Sequence, residues 1–314
     1  MKSYRVTDYY KSISPEGSVL RKQYMPDDKE EIVKEYENLD PLDENRHMVA
    51  PRLIHRYKDR VLLLTTGNCL LYCRHCFRRD FIDKSDAPLT DRELNMATNY
   101  IKNHPEVHEV ILSGGDPLTL NLKRLGQILK AVNGIRPHLV IRIGTRVPIV
   151  SPDTITNEHI KLFSELGNIW INLQCNHPDE LTNKVQELLI KINMAGVNLL
   201  NQSVLLKGVN DSVEVLTKLS HRLLECRVKP YYLFQGDLAK GTSHFRVPIK
   251  RGLEIMRLLR EEVSGIALPT YAVDIPGGGG KIPLNSDYIT GEDKDYYYLT
   301  NNQGFTGKYP KEED

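Results

Sequence analysis

Three of the chain's five cysteines, Cys69, Cys73 and Cys76, fall within eight residues, separated by three and then two others, while Cys175 and Cys226 stand alone. An odd, clustered set argues against a disulfide framework and for a metal site or catalysis. A cubane [4Fe-4S] cluster normally takes four thiolates, so three would leave one iron open to a further ligand. Structural zinc is the alternative, but it needs a fourth ligand, and His75 lies too close to its neighbours to be an easy one. A second segment with chemical potential is Ser113-Gly114-Gly115-Asp116-Pro117. Paired glycines let a backbone approach a ligand closely, although a plain tight turn needs them equally. The third is Asp274-Ile-Pro-Gly-Gly-Gly-Gly-Lys281-Ile-Pro. It is not a phosphate-binding P-loop, because Ile275 stands where the first glycine belongs and Ile282 where a Ser or Thr is needed. A single lysine bracketed by glycines and proline can instead approach a carbonyl and form a Schiff base, as pyridoxal phosphate requires.

These residues follow predicted strands. Short apolar runs at 61–66, 110–113, 139–144, 169–173, 197–205 and 228–235 each precede a stretch with helical spacing of apolar residues, and a seventh run lies at 268–273. Leu122, Leu125, Ile128, Leu129 and Val132 share one helix face, as do Ile249, Leu253, Met256 and Leu259. Serial βα units predict an α/β fold, a parallel sheet curved into a complete or partial barrel, with a doubly wound open sheet as the alternative. Either places chemistry at the carboxyl ends of strands. The expected organisation is an N-terminal extension over 1–55 with a short helix at 29–37, a catalytic domain over 56–285, and a C-terminal hairpin and tail over 286–314.

Forty-two Lys and Arg against forty-one Asp and Glu leave a net charge of +1, so no broad field points to nucleic acid or membrane, and a small-molecule substrate is expected. No apolar run approaches bilayer-spanning length, which predicts a soluble, cytoplasmic protein.

The triad Cys69-Leu-Leu-Tyr-Cys73-Arg-His-Cys76, placed after the first strand of a serial βα repeat, resembles the radical S-adenosylmethionine (SAM) superfamily. Together with Pro276-Gly-Gly-Gly-Gly-Lys281 it is similar to the lysine 2,3-aminomutase family over about residues 40–309. Further matching stretches are Leu53-Ile-His-Arg-Tyr-Lys-Asp-Arg-Val61, Arg142-Ile-Gly-Thr-Arg146, Asn201-Gln-Ser-Val-Leu-Leu206 and Pro230-Tyr-Tyr232. The resemblance implies a partial (βα)6 TIM-like barrel with an N-terminal helical extension and a C-terminal β-hairpin tail. It implies a [4Fe-4S] cluster on the triad, with SAM on its open iron and near Ser113, Gly114, Gly115, Asp116, Gln202 and Gln174. Gln174 departs from the histidine expected there. It implies pyridoxal phosphate on Lys281, surrounded by Arg56, Tyr57 and Arg60. Arg78 matches the arginine for the substrate carboxylate, and Asp237 and Asp274 match the pair for its distal ammonium. The implied reaction interconverts L-lysine and β-lysine through a 5'-deoxyadenosyl radical, fed by a donor such as flavodoxin or ferredoxin; a homo-oligomer is compatible.

One rival is the related aminomutase acting on a lysine of elongation factor P, whose branch Cys76-Phe-Arg-Arg79 resembles; Asp274 and the intact glycine run favour free lysine. A glutamate-directed relative should not place two carboxylates at the distal end. A zinc-stapled binding module is the non-enzymatic alternative.

Overall fold

The structure is a computed structural model that describes residues 4–84, 86–285, 287–301 and 304–311. Its main sheet contains β1 (Met48–Ala50), β2 (Leu53–Tyr57), β3 (Arg60–Thr66), β4 (Glu109–Gly114), β5 (Val140–Thr145), β6 (Ile169–Leu173), β7 (Asn198–Val204), β8 (Lys229–Phe234), β9 (Thr270–Ile275) and β10 (Gly280–Pro283). The ten strands lie side by side in chain order. Every pairing from β3 to β9 is parallel, while β1 with β2, β2 with β3 and β9 with β10 are antiparallel. Sequential order has no reversal point, which rules out the doubly wound alternative. β1 and β10 are not neighbours, so the barrel is partial.

Alternation along the strands explains how this sheet can hold a site. In β4, β5 and β7, fully buried residues such as Val110, Leu112, Ile141, Ile143 and Leu199 alternate with half-buried ones. The buried set packs with Ile101, Leu125, Leu129, Leu189, Leu219 and Leu259 from the intervening helices in one continuous core. The other face carries Ser113, Arg142, Gly144, Gln202, Tyr232 and Phe234, which polar chemistry can use. The helices begin where the sequence offers caps: Thr90 with Glu93 forms a capping box before Asp91–Lys102, and Asn121, Thr182 and Ser212 cap Leu122–Asn133, Asn183–Met194 and Val213–Glu225.

Two expectations shift, and a third, the C-terminal hairpin, is met and extended by one strand. The helix at 29–37 is absent beyond a 3₁₀ turn over Asp28–Glu31, because its carboxylates are drawn to barrel arginines: Glu30 pairs with Arg74 and Glu37 with Arg246. The last helix, Ile249–Glu262, buries Gly252, Ile255, Met256 and Leu259 and leaves Ile249 exposed. A side chain at 252 would strike the Tyr271 ring, so glycine sets this face. The C-terminal hairpin is one half of a three-stranded meander, β11 (Ile289–Glu292), β12 (Tyr296–Thr300) and β13 (Thr306–Pro310).

The expected boundary at 55 falls inside β2, and Tyr10, Leu20 and Tyr24 from the N-terminal segment are wholly buried in the barrel's own core. Among the described residues, no helix is long and apolar enough to cross a membrane.

Candidate active site

The cysteine loop leaves the end of β3 and is pinned from three directions. Gly115 N–H donates to the Thr66 carbonyl at 2.6 Å and Asp116 N–H to the Asn68 carbonyl at 2.8 Å, while Arg5 donates to the Cys69 carbonyl at 2.7 Å. A side chain at Gly114 would lie 2.4 Å from the Thr66 oxygen, and Gly114 has a φ of +113°. One at Gly115 would lie 2.3 Å from the Asn68 oxygen. The paired glycines therefore have a packing reason: only they let the end of β4 press against the turn that presents the cysteines. The amides of Gly115 and Asp116 are used in that contact. Asp116 is turned inward as well, accepting from Leu118 N–H, Thr145 Oγ1, Arg146 N–H and Val147 N–H, and burial pushes its carboxyl up to about 6 against those four bonds.

Burial, reinforced by Asp116 and the neighbouring cysteines, pushes the Cys69 thiol up; burial likewise pushes Cys76 up to about 11. Such thiols ionise only when a positive centre compensates them. The third cysteine has a cation against it: Arg146 Nη1 donates to Cys73 Sγ at 2.9 Å. Among the described residues, no three His, Cys, Asp or Glu side chains surround a single-ion position.

Arg146 belongs to a buried constellation that the sequence did not disclose. Its Nη2 donates to Glu180 Oε1 at 2.6 Å and to Gln23 Oε1 at 2.7 Å. Tyr10 O–H donates to the same Glu180 oxygen at 2.6 Å. The other oxygen of Glu180 accepts from Asn176 and His177 N–H at 2.7 and 2.8 Å. Glu180 is wholly buried and Arg146 nearly so; against the cost of burial, Arg146 holds the glutamate below its ordinary pKa, and Cys73 and then Glu180 hold the arginine above its own.

Lys281 lies on β10 directly opposite Asp274 of β9. Its backbone N–H donates to Tyr57 O–H at 2.9 Å, linking β10 to β2 across the barrel's open side. Gly280, at φ +89°, makes the turn into β10. The lysine Nζ sits 4.7 and 4.3 Å from the ring centres of Tyr232 and Phe234. Burial lowers its pKa to about 8, opposed by Asp274 and assisted by Arg142 and Arg60. Burial, then Asp274, raises Asp237 to about 7, against the pull of Lys281 and Arg78. Arg56 places Nη1 3.8 Å from Asp274, while its buried Nε and Nη2 have no hydrogen-bond partner. Unpartnered guanidinium donors beside a lysine of lowered pKa fit a phosphorylated aldehyde such as pyridoxal phosphate. Arg60 stacks 3.9 Å over the Tyr57 ring and pairs with Asp59.

Arg78 links the two halves, feeling the charges of both Cys76 and Asp237. Its Nη1 donates to Ser113 Oγ at 2.8 Å, and the rest of its fork is taken by Glu44. Gln202 accepts from Asn172 at 2.7 Å, and Gln174 N–H donates to the Thr145 carbonyl at 3.0 Å. The structure thus gathers Arg56, Tyr57, Arg78, Asp237, Asp274 and Lys281, and sets Asp116 apart as a brace.

The family described as the radical SAM superfamily matches residues 63–219, and the one described as lysine-2,3-aminomutase matches residues 256–314. The chain is 42% identical over 312 residues to the L-lysine 2,3-aminomutase of Fusobacterium nucleatum, covering 98% of this chain and 73% of that one. It is 41% identical over 308 residues to the Clostridium subterminale L-lysine 2,3-aminomutase, covering 97% and 74%. The glutamate 2,3-aminomutase of Clostridioides difficile is 40% identical over 285 residues, covering 90% and 67%. Among solved structures, Streptococcus suis SuiB bound to S-adenosylmethionine superposes with a TM-score of 0.51 at 14% identity, over 69% of this chain and 51% of that one. A radical SAM methyltransferase from Sphaerobacter thermophilus does so with a TM-score of 0.51 at 15% identity, over 70% and 68%; at these identities the likeness is one of fold.

Proposed function

We propose that this chain, which belongs to the lysine 2,3-aminomutase family of the radical SAM superfamily, interconverts free L-lysine and β-lysine with the help of pyridoxal phosphate. The observation that carries the reading is Lys281, paired across β9 and β10 with Asp274 and lowered by burial to about 8, with Asp237 beside it and Arg78 within electrostatic reach of Asp237. An amino acid with a distal ammonium needs this pattern: carboxylates for one end and a forked guanidinium for the other. Two carboxylates would repel a distal carboxylate, which sets lysine above glutamate.

Cys69, Cys73 and Cys76 would hold the cluster, the face with Ser113 and Gln202 would receive SAM, and Arg56 with Tyr57 would grip the phosphate. When bound, the cluster with SAM supplies a carbon-centred radical, and pyridoxal phosphate supplies the delocalising ring across which an amino group migrates. The chain's own part is positioning. Lys281 near neutrality is a competent nucleophile toward the aldehyde. Tyr57 fixes the backbone that carries it, and Asp237 with Asp274 and Arg78 would hold the substrate by its two ends. A thiolate cluster and a low-potential donor such as flavodoxin or ferredoxin suit the reducing cytoplasm.

The test is anaerobic incubation of the reconstituted, reduced protein with L-lysine, SAM and pyridoxal phosphate, followed by mass spectrometry of derivatised amino acids, with and without elongation factor P. Free β-lysine in the absence of the protein partner supports the reading. Modification of elongation factor P alone would overturn it in favour of the protein-directed branch.

A pH dependence follows from the raised Asp237. Its carboxyl is protonated below about 7, leaving Asp274 to face the ammonium alone. Affinity for lysine should hold above that point and weaken on acidification, with a limiting slope of about tenfold per pH unit. Lys281, by contrast, loses its proton above about 8, so pyridoxal phosphate should load faster as pH rises through that value. Titrations of lysine binding and of cofactor loading between pH 6 and 9 should both rise with pH, the first through about 7 and the second through about 8; a lysine affinity flat across pH 7 would remove Asp237 from the ammonium site.

A further inference from the structure

We propose that Glu44 is a specificity-determining residue: its carboxylate is a resident competitor for the Arg78 fork, released only by a ligand that brings a carboxylate of its own. The inference rests on the reading of Arg78 as the arginine for the substrate's carboxylate.

The geometry is that of a bound carboxylate. Arg78 Nε donates to both Glu44 oxygens, at 3.1 and 2.9 Å, and Nη2 donates to Oε1 at 2.6 Å. Both side chains are largely buried, at 13% and 18% exposure, so the pair is no loose surface contact. Glu44 belongs to no strand of the barrel. It sits in the N-terminal segment 40–47, folded on itself by Asp40, whose carboxylate accepts from Glu44 N–H at 2.8 Å and from Asn45 N–H at 2.9 Å. The same segment reaches the cofactor side of the site. The Leu42 carbonyl accepts from Arg56 Nη1 at 3.4 Å, and Asp43 and His47 stand 3.2 and 3.4 Å from where a side chain on Gly278 would begin. Glu44 also opposes the charge of Asp237. One short segment therefore touches the arginines assigned to both ends of the chemistry.

The selectivity follows from charge conservation at Arg78. A free amino acid exchanges one carboxylate for another, so the buried guanidinium stays paired throughout. A diamine, or a lysine whose carboxyl is locked in a peptide bond, can displace Glu44 only by leaving Arg78 without an anion, and an unpaired buried charge is strongly penalised. Release of Glu44 frees the segment from its grip on the barrel mouth, which makes its motion a direct report of carboxylate binding.

The experiment uses the protein reconstituted with cluster and pyridoxal phosphate but left unreduced, so that binding is read without turnover. Equilibrium dialysis with radiolabelled L-lysine should show Glu44→Gln binding about tenfold more tightly than the wild type, the factor expected when a charge-assisted bond is traded for a neutral one. In the unmodified protein, hydrogen exchange of amides 40–47 should rise on adding lysine and stay unchanged with 1,5-diaminopentane. Unchanged or weaker lysine binding in Glu44→Gln, alongside a clear loss in Arg78→Gln, would make Glu44 a mere brace and overturn the proposal while sparing the role of Arg78. Full lysine affinity in Arg78→Gln would instead overturn the carboxylate reading itself, and the proposal with it. Exchange at 40–47 that ignores lysine in the wild type also overturns it, independently of any variant.

Discussion

Lys281→Ala is expected to yield a folded protein with a full complement of iron and sulfide that retains no pyridoxal absorbance after gel filtration and forms no β-lysine above background. The cluster should survive because the two groups are held by different partners: Lys281 is tied to Tyr57, Tyr232 and Phe234, whereas the cysteines are tied to Arg5, the end of β4 and Arg146. Cofactor loss should be complete for a chemical reason. Arg56 and its neighbours can attract the phosphate, but ionic contacts alone exchange with solvent, while a covalent imine to a lysine does not. The depressed pKa of Lys281 serves the same end, since a buried amine near 8 keeps an appreciable neutral fraction at physiological pH. Pyridoxal absorbance with sustained turnover in the variant would sink the assignment; loss of iron as well would mean that the two halves of the site are not independent.

Much of this organisation was legible in the residues. Cysteine spacing, the glycine run before Lys281 and the serial apolar runs each act locally, through the chain's own geometry, and each reappears where it was expected: all seven runs match strands to within two residues at either end. The exceptions share a cause. Glu180 meets Arg146 across 34 residues of chain and Tyr10 across 170, and Glu44 meets Arg78 across 34. No period or cap marks such a partner, because burial and pairing are decided by the folded barrel. The segment 29–37 reads as helical for the same reason in reverse, since its glutamates are claimed by distant arginines rather than by its own turn. The pair Gly114-Gly115 was ambiguous between ligand approach and tight packing. Backbone oxygens 2.4 and 2.3 Å from their missing side chains explain the glycines by packing alone.

Glu180→Ala should be among the most damaging single substitutions outside the cysteines, lowering stability by about 3–5 kcal/mol, the usual consequence of stranding one member of a buried ion pair. In a protein of this size that corresponds to a fall in Tm of roughly 5–10 °C by differential scanning fluorimetry. The effect reaches the chemistry because the stranded cation is the one against Cys73. Hydrogen bonds and positive charge at a cluster thiolate favour the reduced state, so Arg146→Gln should shift the cluster's midpoint potential to more negative values in an electron paramagnetic resonance titration. A paired replacement, Arg146→Met with Glu180→Leu, separates the two roles. It removes both charges, so it should recover part of the stability lost in Glu180→Ala. It cannot recover the potential, because no donor then faces Cys73. Recovery of both would reduce Arg146 to packing; recovery of stability alone would show that Tyr10, Gln23 and Glu180, remote in sequence from the triad Cys69, Cys73 and Cys76, are there to hold one guanidinium against one sulfur.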